Sequence, residues 1–161
     1  MDSLRWSWRS WTDLDRDALY ALLALRARVF VVEQACAYLD PDGRDERAWH
    51  LLGHDDAGAL VASLRAFPPG AHHPEAAVFG RVVTAPERRG EGLGTALMQA
   101  GLRWMGATFG AVPVRASAQA HLAGWYGRLG FTVDGPAYDE DGIPHVPIVG
   151  TLAAPEFRFS S

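Results

Sequence analysis

The run Arg88-Arg89-Gly90-Glu91-Gly92-Leu93-Gly94-Thr95 concentrates the residue types that handle phosphate chemistry. It follows an apolar stretch that reads as a strand and precedes a segment with helical spacing. A helix N-terminus offers unpaired backbone N–H groups and a partial positive charge of roughly half a unit. Glycines let a diphosphate approach that backbone closely. Arg88 and Arg89 add local positive charge to a chain whose net charge is −4. The spacing Gly90-x-Gly92-x-Gly94 departs from the Gly-x-Gly-x-x-Gly dinucleotide fingerprint and falls mid-chain. The chain has no lysine, which excludes a Walker-A loop and Schiff-base chemistry. A pyrophosphate-bearing cofactor other than NAD or ATP fits; the plainer reading is a glycine-rich turn that merely opens a helix.

Candidates for proton transfer are Glu33, His121 and His145. Glu33 ends the apolar run Val29 to Val32, His121 stands where a short helix begins, and His145 starts a strand. Each has a plain counterpart: a solvated helix-end acid, a helix cap, a satisfied hydrogen-bonder. Cys36, the one cysteine, has no cysteine–histidine pattern around it and reads as a packed thiol. His72 and His73 lack spaced partners, so no metal site is expected.

These residues need elements to hold them. Leu4 to Trp11 alternates as a strand, and Asp15 to about Val32 has helical spacing after a Thr12 or Asp13 cap. Trp49–Gly53 and Leu60–Phe67 read as a hairpin around Asp55, Asp56 and Gly58. Ala77–Thr84 reads as a strand buried on both faces. A helix is expected from Gly92 to about Met105, a strand over Pro113–Ala116, and a short helix over His121–Leu129 stopped by Gly130. Phe131–Val133 and His145–Leu152 complete the strands, with Pro144 and Pro147 placing the last near an edge. Interleaved strands and helices predict a mixed α/β class around a central sheet.

A chain of 161 residues predicts one domain, 1–161, able to bury a core without disulfides. No apolar run approaches a membrane span, and the mild acidity argues against nucleic acid as a partner. One cysteine and no signal-peptide pattern predict a cytoplasmic protein.

Val82-Val83-Thr84 followed by Arg89-Gly90-Glu91-Gly92-Leu93-Gly94-Thr95-Ala96-Leu97-Met98 resembles motif A of the GNAT superfamily of N-acetyltransferases. Trp125-Tyr126-Gly127-Arg128-Leu129-Gly130-Phe131 resembles its motif B. Arg26, Val29 to Gln34, Tyr38, Asp40, Asp42-Gly43, Asp45, His50-Leu51, Gly80-Arg81-Val82, Gln119 to Leu122 and Tyr138 to His145 resemble the ElaA-type branch. Glu87 departs from the Gln or Arg common at the first motif A position.

The resemblance implies a mostly antiparallel central sheet with splayed middle strands, flanked by helices. It implies acetyl-CoA as co-substrate, its pyrophosphate on Arg88 to Thr95 and its pantetheine along the backbone of Val82, Val83 and Thr84. An acetyl group would pass to a primary amine by direct transfer in a ternary complex. A strand N–H, Val83 being the expected one, would polarise the carbonyl, and Tyr126 would return a proton to the thiolate. Deprotonating an alkylammonium of pKa ~10.4 at pH 7 costs about 4.6 kcal/mol, so Glu33, His121, His145 or a water relay must take a proton. Asp40, Asp42, Asp139, Gln119, Arg65 and Arg81 would form the acceptor site, the acids attracting a cationic amine and the arginines facing the cleft or pairing with those acids. A non-catalytic acyl-CoA sensor and transfer of another acyl group are the alternatives. GNAT-like proteins often dimerise, which leaves a homodimer open.

Overall fold

The computed structural model describes residues 3–154; residues 1–2 and 155–161, the ends of the span expected as one domain, lie outside the described residues. The described strands form one eight-stranded sheet in the order β1-β2-β3-β4-β5-β8-β6, with β7 also paired to β8. They are β1 (Arg5–Ser10), β2 (Trp49–His54), β3 (Leu60–Phe67), β4 (Ala77–Thr84), β5 (Pro113–Gln119), β6 (Thr132–Val133), β7 (Tyr138–Glu140) and β8 (Ile143–Thr151). The helices are α1 (Arg16–Arg26), α2 (Leu93–Phe109) and α3 (Ala123–Arg128).

All pairings are antiparallel except β4 with β5. That parallel pair meets only at Ala77↔Val114 and Val78↔Arg115. Beyond those residues the two strands part, as the splayed centre requires. The core fills with Leu22 and Leu25 of α1, Leu97, Met98 and Met105 of α2, and Leu51, Leu64 and Ile148 of the sheet. Each such burial contributes about 1.5–3 kcal/mol. At Gly101 of α2 a Cβ would sit 2.7 Å from Leu64 Cδ2, so any larger residue there would have to displace the buried Leu64 methyl.

Several expectations are corrected. The first helix is α-helical only to Arg26; Ala27–Glu33 continues as a wider π turn, where the β-branched run weakens regular helix. Asp15 caps α1, its Oδ1 accepting from Ala18 N at 2.7 Å. The second helix runs on to Phe109 and stops at Gly110. The motif B segment is a 3₁₀ turn, Ala120–Leu122, followed by the six-residue α3. β4 is not buried on both faces: Val78, Gly80, Arg81 and Val82 are half-buried because they line the gap. β8 is interior rather than near an edge. Its Pro147 is tolerated because it falls between the stretches paired with β6 and β7. The strand β7 lies in a stretch where the sequence shows only loop chemistry.

Candidate active site

The turn between β4 and α2 uses backbone conformations that side chains resist. Gly90 and Gly92 have φ of 86° and 75°, the left-handed region that favours glycine. Gly92 is the N-cap of α2 and no side chain caps the helix, so its first N–H groups keep their bonding capacity. A hollow of about 230 Å³ opens there, lined by Thr84, Arg89, Gly90, Leu93, Gly94 and Trp125 among others. No atom lies within 4 Å of where a Cβ on Gly90 or Gly92 would stand. Trp125 Nε1 donates to Thr95 Oγ1 at 3.3 Å, tying α3 to the turn. These features suit a diphosphate held chiefly by backbone N–H groups.

The arginines contribute less open charge than expected. Arg88 is paired with Glu91 at 3.0 Å and Asp55 at 3.4 Å. Arg89, which lines the hollow, meets Glu33 at 2.5 Å.

A cleft of about 750 Å³ lies between β4 and β5, bordered by Phe30, Val82, Gln119, Tyr126, Glu140 and His145 among others. β3 and β4 change register between Ser63 and Arg65, so Arg81 and Val82 together oppose Leu64, a β-bulge. Ala85 N donates to Val61 O at 2.8 Å. In an antiparallel ladder every second residue bonds the same neighbour. Val83 N–H therefore points to β3 and Thr84 N–H away from it, while Val82 stands in the bulge on the border of the cleft. Of Val83, the expected N–H donor, and Val82, it is Val82 that borders the cleft.

Tyr126 packs among Phe79, Trp125 and Phe131 with ring centroids 6.2, 4.8 and 5.9 Å away. It lines the cleft, and burial pushes its hydroxyl pKa up to about 12. The ring thus packs in the core while the residue also borders the cleft.

Of the three base candidates, His145 alone borders the cleft. It is buried, with Nδ1 2.7 Å from Ile143 O and Nε2 3.1 Å from Glu140 Oε2. The carbonyl only accepts, so Nδ1 carries a proton. Nε2 is then left facing the Glu140 carboxylate, where a proton arriving from the cleft could be held between the two. Glu140 also accepts from Ser117 Oγ at 3.5 Å, and Ser117 bonds the Tyr138 hydroxyl. His121 is exposed on the 3₁₀ turn and Glu33 is exposed beside the glycine turn. Neither lines the cleft.

The acids expected to attract an amine are mostly occupied. Asp40 is buried, with Arg26 Nε 2.8 Å from Oδ2 and Arg81 Nε 2.8 Å from Oδ1. Asp42 accepts from Arg65 at 2.6 and 2.9 Å. Asp45 accepts from Arg26 at 2.9 and 3.2 Å and from Arg65 at 3.0 Å. Three buried or half-buried arginines thus balance three aspartates. Hydrogen bonds from Arg65 hold the Asp42 carboxyl well below the usual carboxylate range. Burial pushes Asp45 up, yet Arg26 and then Arg65 outweigh it and hold it low. Burial pushes the Tyr38 hydroxyl, 3.3 Å from Asp40 Oδ1, up to about 12. Asp139 serves the β7–β8 turn, accepting from Gly142 N at 3.2 Å. Glu140, paired with His145, and Asp141 also border the cleft.

Arg26, Ser117 and Asp45 were not singled out as site residues. Arg26 carried a signal: it sits on the apolar stripe of α1 with Leu22, Leu25 and Val29, where a charge needs a buried partner.

With this geometry in view, the acetyltransferase (GNAT) domain family matches residues 38–152. The chain belongs to the GNAT family. GNAT domains bind acyl-CoA, and the uncapped glycine turn here suits that ligand's pyrophosphate. Among relatives, this GNAT chain is 40% identical to a UPF0039 protein of Synechocystis over 91% of its own length and 94% of the relative's. It is 39% identical to protein ElaA of Escherichia coli, covering 89% of this chain and 94% of that one. The crystal structure of an acyl-CoA N-acyltransferase from Pseudomonas aeruginosa superposes with a TM-score of 0.86 at 42% identity, over 91% of this chain and 99% of that one. Among the described residues no helix is long and apolar enough to cross a membrane.

Proposed function

We propose that this protein transfers an acetyl group from acetyl-CoA directly to a primary amine in a ternary complex. The observation that carries the reading is the uncapped glycine turn of α2 opening beside a splayed gap that holds both Tyr126 and the Glu140–His145 pair. Acetyl-CoA, when bound, supplies an activated thioester. Backbone N–H groups from Gly90 to Thr95 hold its pyrophosphate, and Val82 N–H donates to its carbonyl oxygen. Glu140 and Asp141 attract the protonated acceptor. The Glu140–His145 pair takes the ammonium proton, leaving a neutral amine to attack. Tyr126, which lines the cleft and stays protonated at physiological pH, would donate a proton to the departing thiolate. Val82 and Phe30 supply apolar walls that limit water at the reacting centre.

The test is a panel of mono- and polyamines, amino acids and peptide N-termini with acetyl-CoA, read as thiol release and as amide mass. Coupled release and amide with at least one amine is expected. Tight CoA binding without turnover on any amine would replace the enzyme with an acyl-CoA-sensing module. Faster turnover with a longer acyl-CoA would correct the acyl group.

A further inference from the structure

Arg81 breaks a local rule. It is a non-glycine residue with φ of 51°, and it occupies the left-handed position of a β-bulge where glycine is the residue that fits without strain. Strain of this kind persists where the surroundings over-determine it. Here the surroundings are specific. Arg81 Nη2 donates to Asp40 O at 3.1 Å. Its Nε lies 2.8 Å from Asp40 Oδ1, out of line for a hydrogen bond but close enough for strong attraction. Its guanidinium also stands 5.5 Å from the Tyr38 ring centroid. Asp40 cannot yield, because Arg26 of α1, 1% exposed, grips its other carboxylate oxygen at 2.8 Å.

We infer that Arg26, Asp40 and Arg81 form a strut from α1 to the bulge in β4, which holds Arg81 in its left-handed conformation and so aims the Val82 N–H into the cleft. Arg81 and Asp40 are positioning residues, acting through Val82, and not acceptor ligands. The inference rests on the proposed function for its kinetic consequence, but not for its structural one. The buried charges explain themselves this way: a shift of the peptide before Val82 would turn that N–H from the gap, and the strut resists it with charge pairs shielded from water. Replacing Arg81 by glycine removes the need for the strut, because glycine takes the same φ unaided.

The experiment compares Arg81→Ala with Arg81→Gly, both of which leave the Arg26–Asp40 pair intact. Turnover, KM for acetyl-CoA and CoA affinity by calorimetry are measured together with the 15N–1H signal of Val82 in valine-labelled protein. Arg81→Ala is expected to lower kcat on the order of 10- to 100-fold, the cost of a misaimed catalytic group, with CoA affinity within about threefold of the parent. Arg81→Gly is expected to recover most of that loss, and its Val82 signal should lie near the parent's while that of Arg81→Ala moves. Equal loss in both variants with unmoved Val82 signals would make Arg81 a direct substrate ligand and overturn the strut. Unchanged turnover and an unmoved signal in Arg81→Ala would show that the bulge holds itself, which overturns it too. If no amine is turned over, the Val82 signals alone decide the strut, so its failure and that of the enzyme reading are distinguishable.

Discussion

His145 Nε2 and Glu140 Oε2 meet at 3.1 Å across the β7–β8 hairpin, on the wall of the cleft. Because the other ring nitrogen faces the Ile143 carbonyl, Nε2 and the Glu140 carboxylate are the two atoms between which an arriving proton would be held. His145→Ala and Glu140→Gln should each lower turnover about 100-fold near pH 7, a typical contribution for a general base. The deficit should shrink as pH rises toward ~10, where the amine loses its own proton. A pH–rate profile checks this; a deficit constant with pH would assign the pair to structure.

Tyr126→Phe should reduce kcat about 10- to 100-fold with KM for acetyl-CoA little changed. The ring would keep its contacts with Phe79 and Phe131, so stability should hold. With its pKa at about 12, Tyr126 should cause no loss of turnover below about pH 11. Steady-state kinetics of the variant decides it, and unaltered kcat would remove the hydroxyl from the reaction.

Gly92→Val places a branched side chain at φ of 75°, strained by about 1–2 kcal/mol, and fills the hollow at the helix terminus. The parent should gain about 2.7 kcal/mol of stability at CoA one hundredfold above its dissociation constant. The variant should fold with a lowered melting temperature that CoA does not raise. A normal CoA shift in the variant would show that the turn does not hold the pyrophosphate.

Arg26→Met should destabilise the protein by about 3–5 kcal/mol, because it leaves Asp40 and Asp45 as buried carboxylates short of a partner. Urea unfolding at pH 7 measures this.

Acid should unfold the protein in two stages. Burial pushes His50 below its ordinary value of 6.5, so the unfolded chain takes up its proton first. The stability this contributes is present above pH ~6.5 and is lost as pH falls through the lower folded value. Asp42 and Asp45 are also lowered. Their contribution is present above the unfolded carboxylate value of ~3.9 and is lost as pH falls through their folded values. Urea midpoints from pH 8 to 3 follow the first stage in full and the onset of the second. A midpoint flat down to pH 4 would contradict the His50 stage.

The glycine turn, the helix it opens and the short helix carrying Tyr126 were legible because each depends on neighbours in the chain. Gly90, Gly92 and Gly130 mark backbone conformations that few other residues adopt, and the apolar spacing of α2 needs no distant partner. The alternation of β1, β2 and β3 was legible for the same reason. β7 escaped notice because Tyr138–Glu140 has strand form only when β8 lies beside it.

What the amino-acid order determined by itself was therefore the mixed α/β class, the glycine turn that opens α2 and the aromatic at motif B, all set by local sterics and spacing. Only the tertiary structure decided which charges are free. Asp40, Asp42 and Asp45 read as an acidic mouth along the chain, yet arginines on α1, β3 and β4 close on them, since burial penalises an unpaired charge. It also decided that His145 rather than Glu33 or His121 borders the cleft, and that Val82 rather than Val83 does. That last choice follows from the register of β3 against β4, a relation between strands that neither strand's residues specify alone.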